Sequence, residues 1–197
     1  MSPGATFERV YQELKRMLSE GELPPGAPIE PALIGKRIAS SITPIRDALH
    51  RLTGERLVEA PNHNGFRVPS PTEAALRDLY QWNGRLLGLA VKSMRSGVDR
   101  SRLATTAPPH YVAAAAAELF LRIARETGSS EHVDAIVRAN DRLAPYRRVE
   151  VEVLDELPSE LEDLAAAVGS PTELAKGLAA YHRRRIRAVP DILTHER

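Results

Sequence analysis

Hydrophobic positions divide the 197-residue chain into a punctuated first third and a long, regular remainder. Up to Pro69 the apolar segments are short and are separated by prolines and glycines. Beyond Pro71 apolar residues recur every three or four positions, which predicts amphipathic helices. Because proline-rich segments end one element and begin another, we expect two domains, 1–69 and 70–197.

The first third predicts three helices. Residues 5–20 have helical spacing, a short helix follows over about Glu30–Ile38, and Thr43-Pro44 begins a third helix that runs through Leu52. Proline is accepted in a first turn because the amide that it lacks has no helical partner there. Two short helices joined by a break at Ser40-Ser41 form a helix-turn-helix pattern.

A hairpin is predicted after the third helix. Leu57–Ala60 and Phe66–Val68 are strand-like, and the polar turn Pro61–Gly65 joins them. Three helices and a hairpin together describe a winged helix-turn-helix. In such a fold the recognition helix enters the major groove of DNA with its N-terminal residues on the base edges.

The remainder predicts an all-α bundle, so the protein as a whole is expected to be mainly α. Its five helices are expected over about residues 71–96, 109–125, 130–153, 158–168 and 171–189. The first begins with a capping box in which Ser70 is the capping residue and Glu73 reaches back to it. Valines alternate with glutamates at residues 149–153, which would also suit a strand, but an isolated strand among helices has no partner.

Charge is unevenly distributed, although 27 basic and 26 acidic residues give a net charge of only +1. Residues 1–35 sum to −2, residues 36–67 to +3 and residues 71–197 to zero. The excess positive charge therefore lies in the segment that contains the proposed recognition helix and wing, as binding to a polyanion requires.

Composition excludes several classes of function. The chain has no cysteine, which excludes disulfides, thiolate zinc sites and a cysteine nucleophile. Six of the first 20 residues are charged, so no signal peptide is expected, and no apolar stretch reaches the roughly 18 residues of a membrane helix. We therefore expect a cytoplasmic protein without membrane association.

Residues 10–68 resemble the DNA-binding domain of the GntR family of bacterial transcription regulators. The residues that carry the resemblance are the turn Leu23-Pro24-Pro25-Gly26, the segment Ser41–Leu49, Leu52, the pair Leu57-Val58 and the segment Gly65–Val68. Each piece is weak alone, but the set at this spacing is specific. The resemblance implies DNA contacts at the start of the recognition helix and at the wing tip, which by position are Ser41, Thr43, Arg46, His63, Asn64 and Gly65.

Two departures from the family pattern bear on the DNA sequence that is bound. Ile42 stands where the family usually has an arginine, and Ala32 stands where the preceding helix usually has another. An isoleucine suits contact with a thymine methyl group. DNA binding then depends more on Lys36, Arg37 and the wing, to which Arg67 belongs.

Several of these residues also have a plain structural interpretation. Ser41 suits the N-cap of the recognition helix, Thr43 suits either a backbone contact or a local cap, and His63 suits phosphate contact or an exposed turn. Arg46 has Asp47 as an alternative ion-pair partner. Basic residues at this place in a recognition helix, however, mostly meet phosphate or guanine.

Residues 72–190 resemble, more distantly, the helical FCD effector domain of the FadR-type branch. The resemblance rests on the order of helices, on Phe120 and on the last-helix segment Leu178–His182. It implies a divalent metal held by one aspartate and three histidines, beside a small carboxylate effector. This chain keeps only His182, and it has Ala117, Leu121 and Leu161 at the other three ligand positions. Since metal sites take three or four protein ligands, we expect neither metal nor cofactor.

Two interpretations of the bundle interior follow. In one, the interior is a filled core, and the bundle serves dimerisation or contact with a protein partner. In the other, it is a pocket for a small apolar effector, anchored by Asn83, where the family has an effector-binding arginine, and by His182. Leu87, Leu121 and Leu161 would line that pocket. Trp82 is expected in the core or in an interface.

The sequence thus predicts a regulator, not an enzyme, that binds double-stranded DNA at a pseudo-palindromic operator as a homodimer. No set of nucleophile, base and acid stands at a recognisable spacing, and no glycine loop suits a phosphate. Repression in response to a ligand is the preferred interpretation, and a bundle without sensing is the alternative.

Overall fold

A computed structural model describes residues 3–61, 65–94 and 112–196 of the chain. It has two compact units, one of Met1–Ser70 with Glu196–Arg197 and one of Pro71–His195. We call residues 3–70 the N-terminal unit and the second unit the bundle. The prediction of a mainly α protein is confirmed.

The described residues of the N-terminal unit form three helices and two short strands. They are α1 Pro3–Ser19, β1 Pro28–Ile29, α2 Pro31–Ile38, α3 Ile42–Gly54 and β2 Phe66–Arg67. Its core forms where the apolar face of α1, with Val10 and Leu14, packs on Ile45 and Leu49 of α3. The turn between α2 and α3 is tight, because a Cβ at Gly35 would lie 2.8 Å from the carbonyl oxygen of Ser40.

The wing differs from the predicted hairpin. Strand β2 pairs antiparallel with β1, with Phe66 opposite Ile29, whereas Leu57–Ala60 contributes only the single bridge Glu59–Arg67 in the described residues. Val68 also exchanges two 3.0 Å backbone hydrogen bonds with the turn before β1, at Gly26 and Ala27. The bridge joins the two segments of the predicted hairpin through two 2.8 Å backbone hydrogen bonds, and β1 is a further partner that the sequence did not predict, because a strand of two residues has no periodicity.

The bundle contains five helices in the described residues. They are α4 Glu73–Ser93, α5 Val112–Arg125, α6 Ser130–Val153, α7 Leu157–Ala167 and α8 Pro171–Glu196. The alternating valines are helical, as expected, with Val149 buried and Val151 exposed. Helix α8 extends past the predicted end at Val189 and includes Pro190. The predicted connection from Gly97 to Pro109 lies outside the described residues.

The cap of α4 is a correction to the sequence interpretation. Thr72, not Ser70, is the N-cap, and its hydroxyl accepts a 3.2 Å hydrogen bond from the amide of Ala75. Consequently Pro71 lies before the helix. Both residues have hydroxyl side chains, but Thr72 directly precedes the first helical residue and can reach an amide three residues ahead.

The helices of the described ranges are too short or too polar to cross a membrane.

Candidate nucleic-acid interface and bundle interior

One face of α3 is closed and the other is open. Ile45, Ala48 and Leu49 are fully buried against the rest of the N-terminal unit, and Arg46 is exposed. Ser41, Ile42 and Thr43 at the beginning of the helix are also exposed. Ser41 is the N-cap residue, but its side chain makes no capping hydrogen bond, so its hydroxyl remains available to a partner.

Two cations of the predicted interface have no ion-pair partner in the part of the chain that the structure describes. Arg46 on α3 and Lys36 on α2 are exposed, and neither forms an ion pair with another described residue. Asp47 is next to Arg46 in the chain but does not pair with it, so the alternative interpretation of Arg46 is not realised here. A surface cation without an ion-pair partner is available to bind a phosphate or a base edge.

The other two predicted cations have acidic partners. Arg37 forms an ion pair with Glu22, and the guanidinium of Arg67 lies 3.6 Å from a carboxylate oxygen of Glu59. Both pairs are exposed and easily exchanged for phosphate. Gly65 is exposed at the edge of the wing, whereas His63 and Asn64 lie outside the described residues.

His182 is buried in the bundle, with 4% of its surface exposed. Its Nδ1 lies 2.7 Å from the carbonyl oxygen of Leu178, and its Nε2 lies 3.0 Å from Oδ1 of Asn83. Burial lowers the pKa of the ring to about 3, and the cations Arg147 and Arg185 act in the same direction. The ring is therefore neutral near pH 7 and has a single N–H.

Arg147 of α6 is a site residue that the sequence did not reveal. Only 1% of it is exposed, and it donates to Oδ1 of Asn140 at 2.8 Å and to Oδ1 of Asn83 at 3.1 Å. Its guanidinium carbon lies 5.1 Å from the centre of the Phe120 ring. The available signal was helical spacing: Asn140 and Arg147 are two turns apart on the face that Leu143 also occupies.

A second buried network lies along α4, α6 and α8. Glu150 accepts from Nε of Arg185 at 2.9 Å and from the hydroxyl of Tyr80 at 2.8 Å. Arg185 also lies 2.7 Å from Glu160 and 3.3 Å from the centre of the Tyr181 ring. Burial raises the pKa of Tyr80 well above its usual value and that of Tyr181 to about 12, so both phenols stay protonated.

A divalent metal of the family type does not fit these residues. At the four ligand positions stand Ala117, half-buried Leu121, buried Leu161 and His182, whose two nitrogens already face oxygen atoms. Among the residues described, no three histidine or acidic side chains are grouped as a metal site requires. Guanidinium groups, which repel a cation, lie in the same interior.

The apolar residues proposed to line a pocket differ in burial. Leu87 and Leu161 belong to the main apolar cluster of the bundle, and Leu121 is only half-buried. Asn83 and His182, the two polar anchors predicted for such a pocket, do lie within hydrogen-bond distance of each other. Trp82 is 46% exposed on α4, so its expected place in the core is wrong and only the interface interpretation remains.

A three-helix unit with a small wing and an open, cationic recognition helix is the architecture of a DNA-binding domain. Residues 6–68 match the family described as "Bacterial regulatory proteins, gntR family". The N-terminal unit therefore contains a helix-turn-helix domain of the GntR family, and the resemblance of residues 10–68 to that family is confirmed.

Two relatives of the chain are described as regulators of transcription rather than as enzymes. The HTH-type transcriptional regulator YdhC of Bacillus subtilis (strain 168) is 30% identical over 101 residues, which are 51% of this chain and 45% of YdhC. The HTH-type transcriptional regulator McbR of Escherichia coli (strain K12) is 27% identical over 188 residues, covering 88% of this chain and 78% of McbR. The matched part of the chain thus spans less than half the length of YdhC and about three quarters of the length of McbR.

The fold of the chain is also similar to that of a solved structure. A putative GntR transcriptional regulator from Rhodococcus sp. RHA1 has a TM-score of 0.74 and 19% sequence identity, covering 95% of this chain and 98% of that chain. At this identity the similarity shows the fold alone.

Proposed function

We propose that the protein is a homodimeric regulator that represses transcription from a pseudo-palindromic operator and responds to a small ligand. The observation that carries the proposal is the open face of α3, where exposed Arg46 has no ion-pair partner among the described residues, in a GntR-family domain. Further polar contacts with the operator come from Ser41, Thr43 and Lys36. Contacts on either side of the recognition helix come from Arg37, Arg67 and the wing tip.

A face of α4 supports the homodimer. Ala75, Trp82 and Leu89 are seven residues apart and all exposed, so they lie on one side of the helix. Asp78 and Arg85 lie between them. If α4 packs antiparallel on α4 of a second copy around Trp82, Leu89 meets Ala75 and Arg85 meets Asp78. The face is therefore complementary to itself, as a two-fold interface requires.

Unsatisfied polar atoms support ligand binding in the bundle. Nδ2 of Asn83 and Nε of Arg147 are buried without a hydrogen-bond partner. The neutral ring of His182 has one N–H for two facing oxygens, those of Leu178 and Asn83. Because a buried donor without a partner costs about 1–3 kcal/mol, a ligand with an acceptor oxygen would stabilise this region. We therefore extend the apolar effector expected from the sequence to one that also has an acceptor group.

Operator binding is the primary test. Selection from a random double-stranded library should yield a two-fold symmetric sequence with half-sites about one helical turn apart. Arg46→Ala should weaken binding to it by about 1–3 kcal/mol without a change in melting temperature. Arg138→Ala, which removes an exposed arginine of α6, is the matched control. Equal affinity of Arg46→Ala and wild type would remove Arg46 from the interface.

The alternative function has its own support. Asn83, Arg147 and His182 also bond to one another, as a bundle without a ligand would require. A thermal-shift screen of carboxylates and of uncharged apolar compounds separates the two functions. A ligand that raises the melting temperature of wild type but not of Asn83→Leu supports sensing, and a screen without such a ligand favours a bundle for dimerisation or partner contact.

A further inference from the structure

The first residue of the recognition helix is apolar and open. Ile42 is 50% exposed, between the exposed polar residues Ser41 and Thr43. The apolar core of the N-terminal unit uses other positions of α3, namely Ile45, Ala48, Leu49 and Leu52. Ile42 therefore contributes little to the packing of its own unit.

Isoleucine restricts what this position can recognise. It has no side-chain donor or acceptor, so it cannot read the hydrogen-bonding edges of guanine, adenine or cytosine. The C5-methyl group of thymine is the apolar feature that a base presents in the major groove. Burial of a methyl group against an aliphatic side chain is favourable there because both surfaces leave water.

The surroundings of Ile42 favour DNA as its partner. Arg46 lies one helical turn further along α3, and both side chains are exposed. An apolar surface intended for another protein would lie among further exposed apolar residues, whereas the exposed residues around Ile42 in this segment are Ser41, Thr43 and Arg46. A cation beside a single apolar group matches a phosphate beside a methyl group.

We infer that Ile42 is a specificity residue that recognises thymine in each operator half-site by its C5-methyl group. The inference rests on the proposed operator binding. It makes the methyl group, not a hydrogen bond, the basis of selection at one base pair. Deletion of that methyl group should weaken binding about four-fold, the equivalent of one buried carbon.

The test uses the full chain and its selected operator. Each thymine of one half-site is replaced in turn by deoxyuridine, which lacks only the methyl group, and affinity is measured for wild type and Ile42→Ala. At one thymine, the change to deoxyuridine should weaken binding of wild type about four-fold. The same change should leave the affinity of Ile42→Ala as it was. Ile42→Val, which retains two methyl groups, should keep most of the sensitivity.

A matched control addresses loss of apolar surface in general. Leu33 on α2 is 57% exposed, and Leu33→Ala should retain the full response to deoxyuridine at the same thymine. The inference is overturned if no thymine shows coupling to Ile42, or if Leu33→Ala abolishes the response instead. If no operator is selected at all, the proposed function itself has failed.

Discussion

The two units are built on different interiors. The N-terminal unit has an apolar core. Among its described residues up to Ser70, every buried residue is hydrophobic except Gly35, which has no side chain. The bundle instead buries Arg147, Glu150 and Arg185 among its apolar residues. Burial of an apolar side chain needs only a matching shape, whereas a buried charge needs a specific partner. The N-terminal unit therefore keeps its polar chemistry for the surface, and the bundle uses part of it internally.

The largest expected effect comes from breaking the buried pair. Arg185→Met leaves the carboxylate of Glu150 buried with the hydroxyl of Tyr80 and should destabilise the bundle by about 3–5 kcal/mol. Urea unfolding followed by fluorescence of Trp82, the only tryptophan of the sequence, measures the loss. Arg187→Met, which removes an exposed arginine of the same helix, should change stability by less than about 0.5 kcal/mol.

A double variant sharpens this result. Adding Glu150→Leu to Arg185→Met removes both charges, so much of the lost stability should return. A double variant as unstable as Arg185→Met would mean that packing volume, rather than an uncompensated charge, is the cause.

An apolar truncation tests the other side of the comparison. Leu49→Ala in α3 should destabilise the N-terminal unit by about 3 kcal/mol, because it leaves a cavity in a closely packed core. Hydrogen exchange of the α1 and α3 amides should accelerate, while the unfolding transition of Trp82 stays in place. Leu33→Ala is the exposed control. A matching shift in the Trp82 transition would contradict independent cores.

Acid should destabilise the bundle through His182. Its pKa is about 3 in the folded bundle against 6.5 in an exposed histidine, so only the unfolded chain binds the proton between these values. Stability should fall with decreasing pH by about 1.4 kcal/mol per pH unit in the middle of this window. His182→Gln should lose that slope between pH 6 and 4, and the exposed His195→Gln should keep it. Parallel slopes in all three proteins would exclude a buried neutral His182.

The smallest effect concerns the beginning of α4. Thr72→Ala should cost about 1 kcal/mol of bundle stability, because the amide of Ala75 loses its cap. Ser70→Ala should cost nothing measurable in the same Trp82 unfolding experiment. If Ser70→Ala lost more stability than Thr72→Ala, Ser70 and not Thr72 would be the cap.

Periodicity in the sequence predicts much of this fold, because helices are local. The exposed face of α3 follows from the same spacing that buries Ile45 and Leu49. Strand β1 was missed because two residues have no periodicity. The bond of Arg147 to Asn83 was also unpredictable, since Asn83 is 64 residues away in the chain and on another helix. Spacing identifies the buried face of a helix, but it does not identify the polar residue on another helix that meets it.

The distance in sequence between polar partners bears on the order in which the chain folds during synthesis. The core of the N-terminal unit is complete once Val68 has been made. Tyr80 meets its acceptor 70 residues later in Glu150, and Asn83 meets His182 after 99 residues. A nascent chain can therefore present a finished DNA-binding domain while the polar groups of α4 still lack partners and depend on water or chaperones.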